Sequence, residues 1–117
     1  MEPVLLVGLG GALGSVLRFE CSKLQPVRGI PAGTALVNIL GSSACSLLIF
    51  LPAAGDLSLF LGIGLLGGFT TFSTFCFETF RMLEDRDYYT GITNILINIA
   101  GSLAGVGLGY LLIQGMV

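Results

Sequence analysis

Residues 57–77 read LSLFLGIGLLGGFTTFSTFCF, twenty-one positions without a charged side chain. A helix needs about 20 mostly apolar residues to cross the hydrocarbon core of a bilayer, so this stretch qualifies as a membrane span. Its second half is poor material for one continuous helix. Gly67 and Gly68 are followed by the β-branched Thr70 and Thr71, all weak helix formers. The helix is therefore expected to break or unwind near Gly67 to Thr71. A break frees backbone carbonyls, which lipid tolerates only where protein buries them or where they line a wet cavity. Freed carbonyls can coordinate a cation, as in other broken membrane helices.

Outward from this stretch, charge-free runs extend from Pro3 to Leu17, from Gly29 to Gly55 and from Tyr88 to Val117. The first reaches spanning length only if it continues through Arg18 to about Cys21. A removed signal peptide would want a positively charged start, which Met1-Glu2-Pro3 does not offer. Helices are expected at about residues 3–22, 33–52, 57–80 and 88–115, forming a single four-helix transmembrane domain over residues 1–117. The linkers are a Lys23 to Pro31 segment, the Pro52 to Asp56 turn and a charged cluster from Arg81 to Asp87. The fold class is an all-α, multi-pass protein of the cell membrane.

Composition agrees. The chain is 54% hydrophobic and 10% charged, whereas soluble domains carry about 25% charged residues. A domain of this size buries too small a share of its surface to hide so much apolar side chain. Four helices are also too few to enclose a pore within one chain. A net charge of −2 without a basic patch argues against nucleic acid as a partner. Cys21, Cys45 and Cys76 lack metal or redox spacing. With no histidine and no nucleophile–base pair, an enzyme is the least expected class. The Val4 to Gly14 segment imitates a dinucleotide-binding turn, but no alternation of strand and helix follows it.

Polar residues recur at helical spacing inside the spans. Asn38, Ser42 and Ser46 follow one another at four-residue steps, with Thr34 a turn earlier; Asn94, Asn98 and Ser102 repeat the pattern. Such rows face another helix, either as hydrogen-bonding glue worth about 0.6 kcal/mol per contact or as the wall of a polar path. Gly101, Gly105 and Gly109 share the second face, and Gly10 and Gly14 form a pair in the first helix. Small residues let backbones approach closely in lipid, within a subunit or between subunits.

Amides and hydroxyls donate hydrogen bonds, and aromatic rings present a positive edge. Together, without a lysine in any span, they suit a small anion that must enter and leave quickly. Arg18, near the end of the first helix, is either a snorkelling anchor or a vestibule charge. Glu78 faces a vestibule or pairs with Arg81. The residues themselves point to a small-anion or polar-solute pathway at a broken third helix.

The sequence resembles the Fluc (also called CrcB) family of fluoride channels. The resemblance is carried by Gly10-Gly-Ala-Leu-Gly-Ser-Val-Leu-Arg18-Phe19, by Gly33-Thr-Ala-Leu-Val-Asn38-Ile-Leu-Gly41 and, most specifically, by Gly67-Gly-Phe-Thr-Thr-Phe-Ser-Thr-Phe75 with Glu78 following. It implies an antiparallel, dual-topology dimer with two narrow pores that export fluoride passively. Asn38 would hydrogen-bond the ion, and Phe72 and Phe75 would turn their ring edges to it. Thr70, Thr71, Ser73 and Thr74 would supply hydroxyls, and Asn94, Asn98 and Ser102 would line the pore from the last helix. The backbone carbonyls of Gly67 and Thr70 would hold a structural sodium ion at the dimer centre. Family members often carry aromatic or hydroxyl residues where this chain has its last two asparagines.

The first and third linkers share a side and, with boundary residues, hold all five lysines and arginines. The positive-inside rule then favours both termini outside, whereas an antiparallel homodimer needs weak bias. Either Arg18 and Arg81 lie too deep to count, or the partner is an oppositely oriented paralogue; the homodimer is favoured. The main rival function is a four-helix drug–proton antiporter, which needs a carboxylate in mid-membrane; Glu78 is the sole candidate. A non-transporting membrane scaffold is the other rival.

Overall fold

Pro3 stands where a helix has no use for a backbone N–H, and from it α1 runs over Pro3–Ser22. The computed structural model describes residues 1–51 and 55–116. Pro31 precedes α2 (Ala32–Phe50), and residues 52–54 of the expected second linker lie outside the described residues. The third span is composite. A short α3 (Asp56–Ser58) leads into a π-helical segment, Leu59–Leu66, then α4 (Gly67–Phe69) and α5 (Phe72–Glu84); α6 (Tyr88–Met116) completes the chain. Four helical stretches, Pro3–Ser22, Ala32–Phe50, Asp56–Glu84 and Tyr88–Met116, are long and apolar enough to cross a membrane.

The expected boundaries shift in two places. α2 ends at Phe50, two residues short of the expected 52. The third span runs on to Glu84, so the Arg81–Glu84 stretch is helix rather than the start of a charged loop. Arg, Met, Leu and Glu are all strong helix formers, and the helix stops only where Arg86 takes a positive φ of 60°.

The helices pack as two pairs, α2 along α6 and α1 along the π-helical segment and α4. The glycine ridge of α6 lies inside the subunit. A side chain added at Gly101 would meet Ile39 of α2, and one at Gly105 or Gly109 would meet Ser43 or Ser46. Gly10 and Gly14 similarly hold α1 against the backbone around Leu65. In lipid no hydrophobic force drives helices together, so this close backbone approach carries the association.

Burial differs from that of a soluble fold, with large apolar side chains widely exposed and polar ones sharing the interior with residues such as Val37 and Phe75. Leu5, Leu9, Leu13 and Val16 of α1 are exposed, while Thr34, Ser46, Thr71, Thr79, Asn94 and Asn98 are buried. Apolar side chains rest in lipid, and polar ones seek each other inside.

Candidate functional site: an extended threonine pair braced by an asparagine

Thr70 has ψ of 156° and Thr71 has φ −147° and ψ 121°, so both residues are extended between α4 and α5. Thr70 keeps a helical bond, its N–H donating to Leu66 O at 3.0 Å. The Thr71 N–H instead donates to Asn38 Oδ1 at 2.9 Å, and Asn38 Nδ2 donates back to Thr71 O at 2.9 Å. The side-chain amide of α2 thus pairs with the extended peptide as a neighbouring strand would. That satisfies both backbone groups, each of which would cost several kcal/mol if left open in lipid. On the far side, Thr71 Oγ1 accepts the Thr74 N–H at 3.2 Å and caps α5.

Asn38 begins a chain of amides. Its second Nδ2 proton goes to Asn98 Oδ1 at 3.1 Å. Asn98 Nδ2 donates to Asn94 O at 3.0 Å and Oδ1 at 3.2 Å, and Asn94 Nδ2 donates to Thr79 Oγ1 at 2.9 Å. Asn94 is fully buried, with 0% exposure.

Two cavities meet at the break. One, of about 360 Å³, is an open groove lined by Asn38, Thr70, Thr71, Phe72, Phe75, Asn98 and Ser102. The other, of about 230 Å³, is lined by Arg18 together with Ser15, Ser22, Thr34, Thr71 and Thr74. Thr71 belongs to both walls, and it is only 8% exposed, so its side chain stands between them. Arg18 reaches across to the break, donating from Nη1 to Thr70 O at 3.3 Å. The Phe72 and Phe75 rings lie 5.8 Å apart at 45°. Phe75 is buried, whereas Phe72 is 76% exposed.

Most of the expected site residues therefore converge. Asn94 does not reach a cavity wall; it braces Asn98 from behind. Ser73 lines neither of the two cavities, and its hydroxyl lies 3.4 Å from Thr71 Oγ1. Gly67 lines a third cavity, of about 270 Å³, with Gly41, Ser42, Cys45 and Thr70. Ser46 serves as glue, its hydroxyl donating to Val106 O at 2.8 Å, while Ser42, one turn earlier, lines the groove. Ser15 and Ser22 were not among the expected site residues, although their spacing around Arg18 puts all three on one face of α1.

Glu78 does not pair with Arg81. It accepts a 2.8 Å hydrogen bond from Thr34 Oγ1 of α2, and the Arg81 guanidinium lies over the Phe77 ring at 5.8 Å. The single ion pair among the described residues joins Lys23 to Glu20. No cluster of three His, Cys, Asp or Glu side chains occurs among the described residues, so a cation at this site would need backbone oxygens.

Residues 5–110 match the family described as CrcB-like protein, Camphor Resistance (CrcB). The chain is 47% identical over 116 residues to "Fluoride-specific ion channel FluC" of Methanococcus maripaludis, covering 95% of each chain. It is 41% identical over 112 residues to "Fluoride-specific ion channel FluC 1" of Methanosarcina barkeri, covering 95% of this chain and 97% of the relative. To the protein of that kind from Methanocaldococcus jannaschii it is 40% identical over 117 residues, covering 96% and 94%.

Proposed function

This chain belongs to the CrcB family, and from that premise we propose that it is a fluoride-specific channel of the cell membrane. It passes fluoride out of the cell passively, down its gradient, and so confers fluoride resistance; it is not an enzyme. The observation that carries the reading is the single groove in which an amide pair, hydroxyls and two phenylalanine rings converge on a broken helix, with no lysine or carboxylate in its lining.

The chemistry follows from the donors. Arg18 raises the local concentration of anions at the mouth of its cavity without a deep well in the pathway beyond. Fluoride then passes the Thr71 and Thr74 hydroxyls. In the groove it meets Asn38, whose two Nδ2 protons are engaged, one by Thr71 O and one by Asn98 Oδ1. The Asn98-directed proton is the one that can turn to the ion, because the other secures the break. The positive edges of Phe72 and Phe75 complete a weak, neutral coordination, and Ser102 continues the path. Weak sites in series permit fast release.

A groove open along one side needs a second wall. The exposed Phe72, together with Gly62 and Gly67, where an added Cβ would meet nothing within 4 Å, supports a second copy in antiparallel orientation on this face. An oppositely oriented paralogue fits the same surface. A structural sodium ion fits the centre of such a dimer. Turning the Thr71 N–H to Asn38 removes the i+4 donor of the Gly67 carbonyl. The Thr70 carbonyl, which among the described residues accepts only the long Arg18 contact, retains acceptor capacity. Hard cations favour such oxygens, and the ion would tie the two broken helices together.

The test is fluoride efflux from liposomes holding this chain alone, read with an ion-selective electrode and with chloride as the control. Fast, fluoride-selective efflux establishes a self-sufficient channel. Absence of efflux from folded protein directs the search to an oppositely oriented partner, and continued absence with that partner refutes the channel reading.

A further inference from the structure

A separate cavity of about 320 Å³ lies between the first linker and the start of α6, with Val27, Arg28, Ile30, Tyr89, Thr93 and Ile97 in its walls. It shares no residue with the groove. Its outer lip is a two-residue turn closed by Val27 N–H to Ile30 O at 2.9 Å and Ile30 N–H to Val27 O at 3.0 Å. Both central residues have positive φ, 51° at Arg28 and 81° at Gly29. Such turns favour Asn-Gly, so an arginine at the first position is held in a disfavoured conformation. The turn rests on α6, since a Cβ at Gly29 would lie 3.5 Å from Thr90 Cγ2.

Arg28 is the only charged residue in the walls, and among the described residues it has no ion pair. Asp87, the acid just before α6, accepts the Thr90 N–H at 3.2 Å. The Thr93 hydroxyl is likewise spent on Tyr89 O, at 2.7 Å. The rest of the lining is mostly apolar, with Val27, Ile30, Ala32 and Ile97 beside Tyr89, Thr90 and Thr93, and Ile97 lies seven residues along α6 from Thr90, about 10 Å further at 1.5 Å per residue. The exposed Tyr88 and Tyr89 mark the headgroup level, where aromatic residues collect.

We propose that this crevice binds one phospholipid with an anionic headgroup, its phosphate on Arg28 and the upper part of one acyl chain along Ile30 and Ile97. Charge complementarity and depth together select the occupant: a cation at the headgroup level stands above an apolar channel that descends into the hydrocarbon. A zwitterionic lipid offers the same chain but no net charge to the guanidinium.

Native mass spectrometry of the full chain, released from detergent with equal phosphatidylglycerol and phosphatidylcholine, tests this independently of fluoride transport. Phosphatidylglycerol is expected to be retained about fivefold better, the scale of one arginine facing an anionic lipid. Arg28→Gln should erase the preference. Arg86→Gln, an arginine at the same end of the bundle, should keep it. Ile97→Trp, which fills the crevice and leaves Arg28 in place, should lower retention of both lipids. Equal retention of the two lipids by the natural chain overturns the site. So does an Arg86→Gln loss matching that of Arg28→Gln, or displacement of the lipid by millimolar inorganic phosphate.

Discussion

Asn38 and Thr71 form a reciprocal pair in which one side-chain amide takes both the backbone N–H and the backbone C=O of one residue, each at 2.9 Å. The extended Thr70–Thr71 pair of the third span and the polar row of α2 are thus one feature. The hydrogen bonds that the helix gives up at Thr71 are returned by a residue 33 positions earlier.

Asn38→Ala removes both bonds at once. Leaving buried backbone groups unpaired costs about 1–3 kcal/mol each, so the variant should lose thermal stability and fluoride efflux together. Asn38→Asp keeps the acceptor for Thr71 N–H and loses the donor, and should fall between the two. Efflux recording beside a thermal size-exclusion series checks both.

The phenylalanines should separate. Phe72 is exposed and Phe75 buried, so Phe72→Ile should cut fluoride efflux more than about tenfold, roughly 1.4 kcal/mol of barrier, with the fold intact. Phe75→Ala should lower efflux and also destabilise the chain, by about 3 kcal/mol on the usual scale for a buried ring. Equal melting curves for the two variants would falsify the division of labour.

Arg18→Gln should slow fluoride efflux several-fold at low ionic strength. If the guanidinium works as a vestibule charge, the deficit should shrink in about 1 M salt, where screening acts within about 3 Å. A deficit indifferent to salt assigns Arg18 to bracing Thr70 O instead.

Gly67→Leu probes the open face. A Cβ added there meets nothing within 4 Å in one chain, so the subunit should fold. Light scattering should then show a monomer where the proposed pairing makes the natural chain a dimer. A leucine variant that remains a dimer places the second copy elsewhere.

Asn94 and Thr79 test the glue. A double-mutant cycle with Asn94→Leu and Thr79→Val should give a coupling of about 0.6 kcal/mol, the usual worth of an interhelical hydrogen bond in a membrane protein. Fluoride selectivity should be unchanged, because Asn94 does not reach the groove.

The sequence by itself determined the four spans, three from charge-free runs of spanning length and the first from a run that reaches it through Arg18, and it directed attention to the Gly67–Thr71 segment, where Thr70 and Thr71 are extended, because Gly-Gly followed by threonines is poor helix material. It also brought Asn38, Asn98 and Ser102 forward as site residues, since polar groups inside a span must face protein, while Phe72 and Phe75 came forward through the resemblance of their motif to the family's. Tertiary structure alone decided how they divide the work. Asn94 and Asn98 are one turn apart on the same row, yet one is sealed behind the other. Ser42 and Ser46 are equally alike by spacing, yet one lines the groove and the other fastens α2 to Val106. Nor could sequence tell that Glu78 would turn to Thr34 rather than Arg81, or that the glycine ridge of α6 packs within its own subunit. Helical periodicity fixes the direction of a side chain around its own axis; which neighbour stands there depends on how the helices cross, and that is settled by packing between residues far apart in the chain.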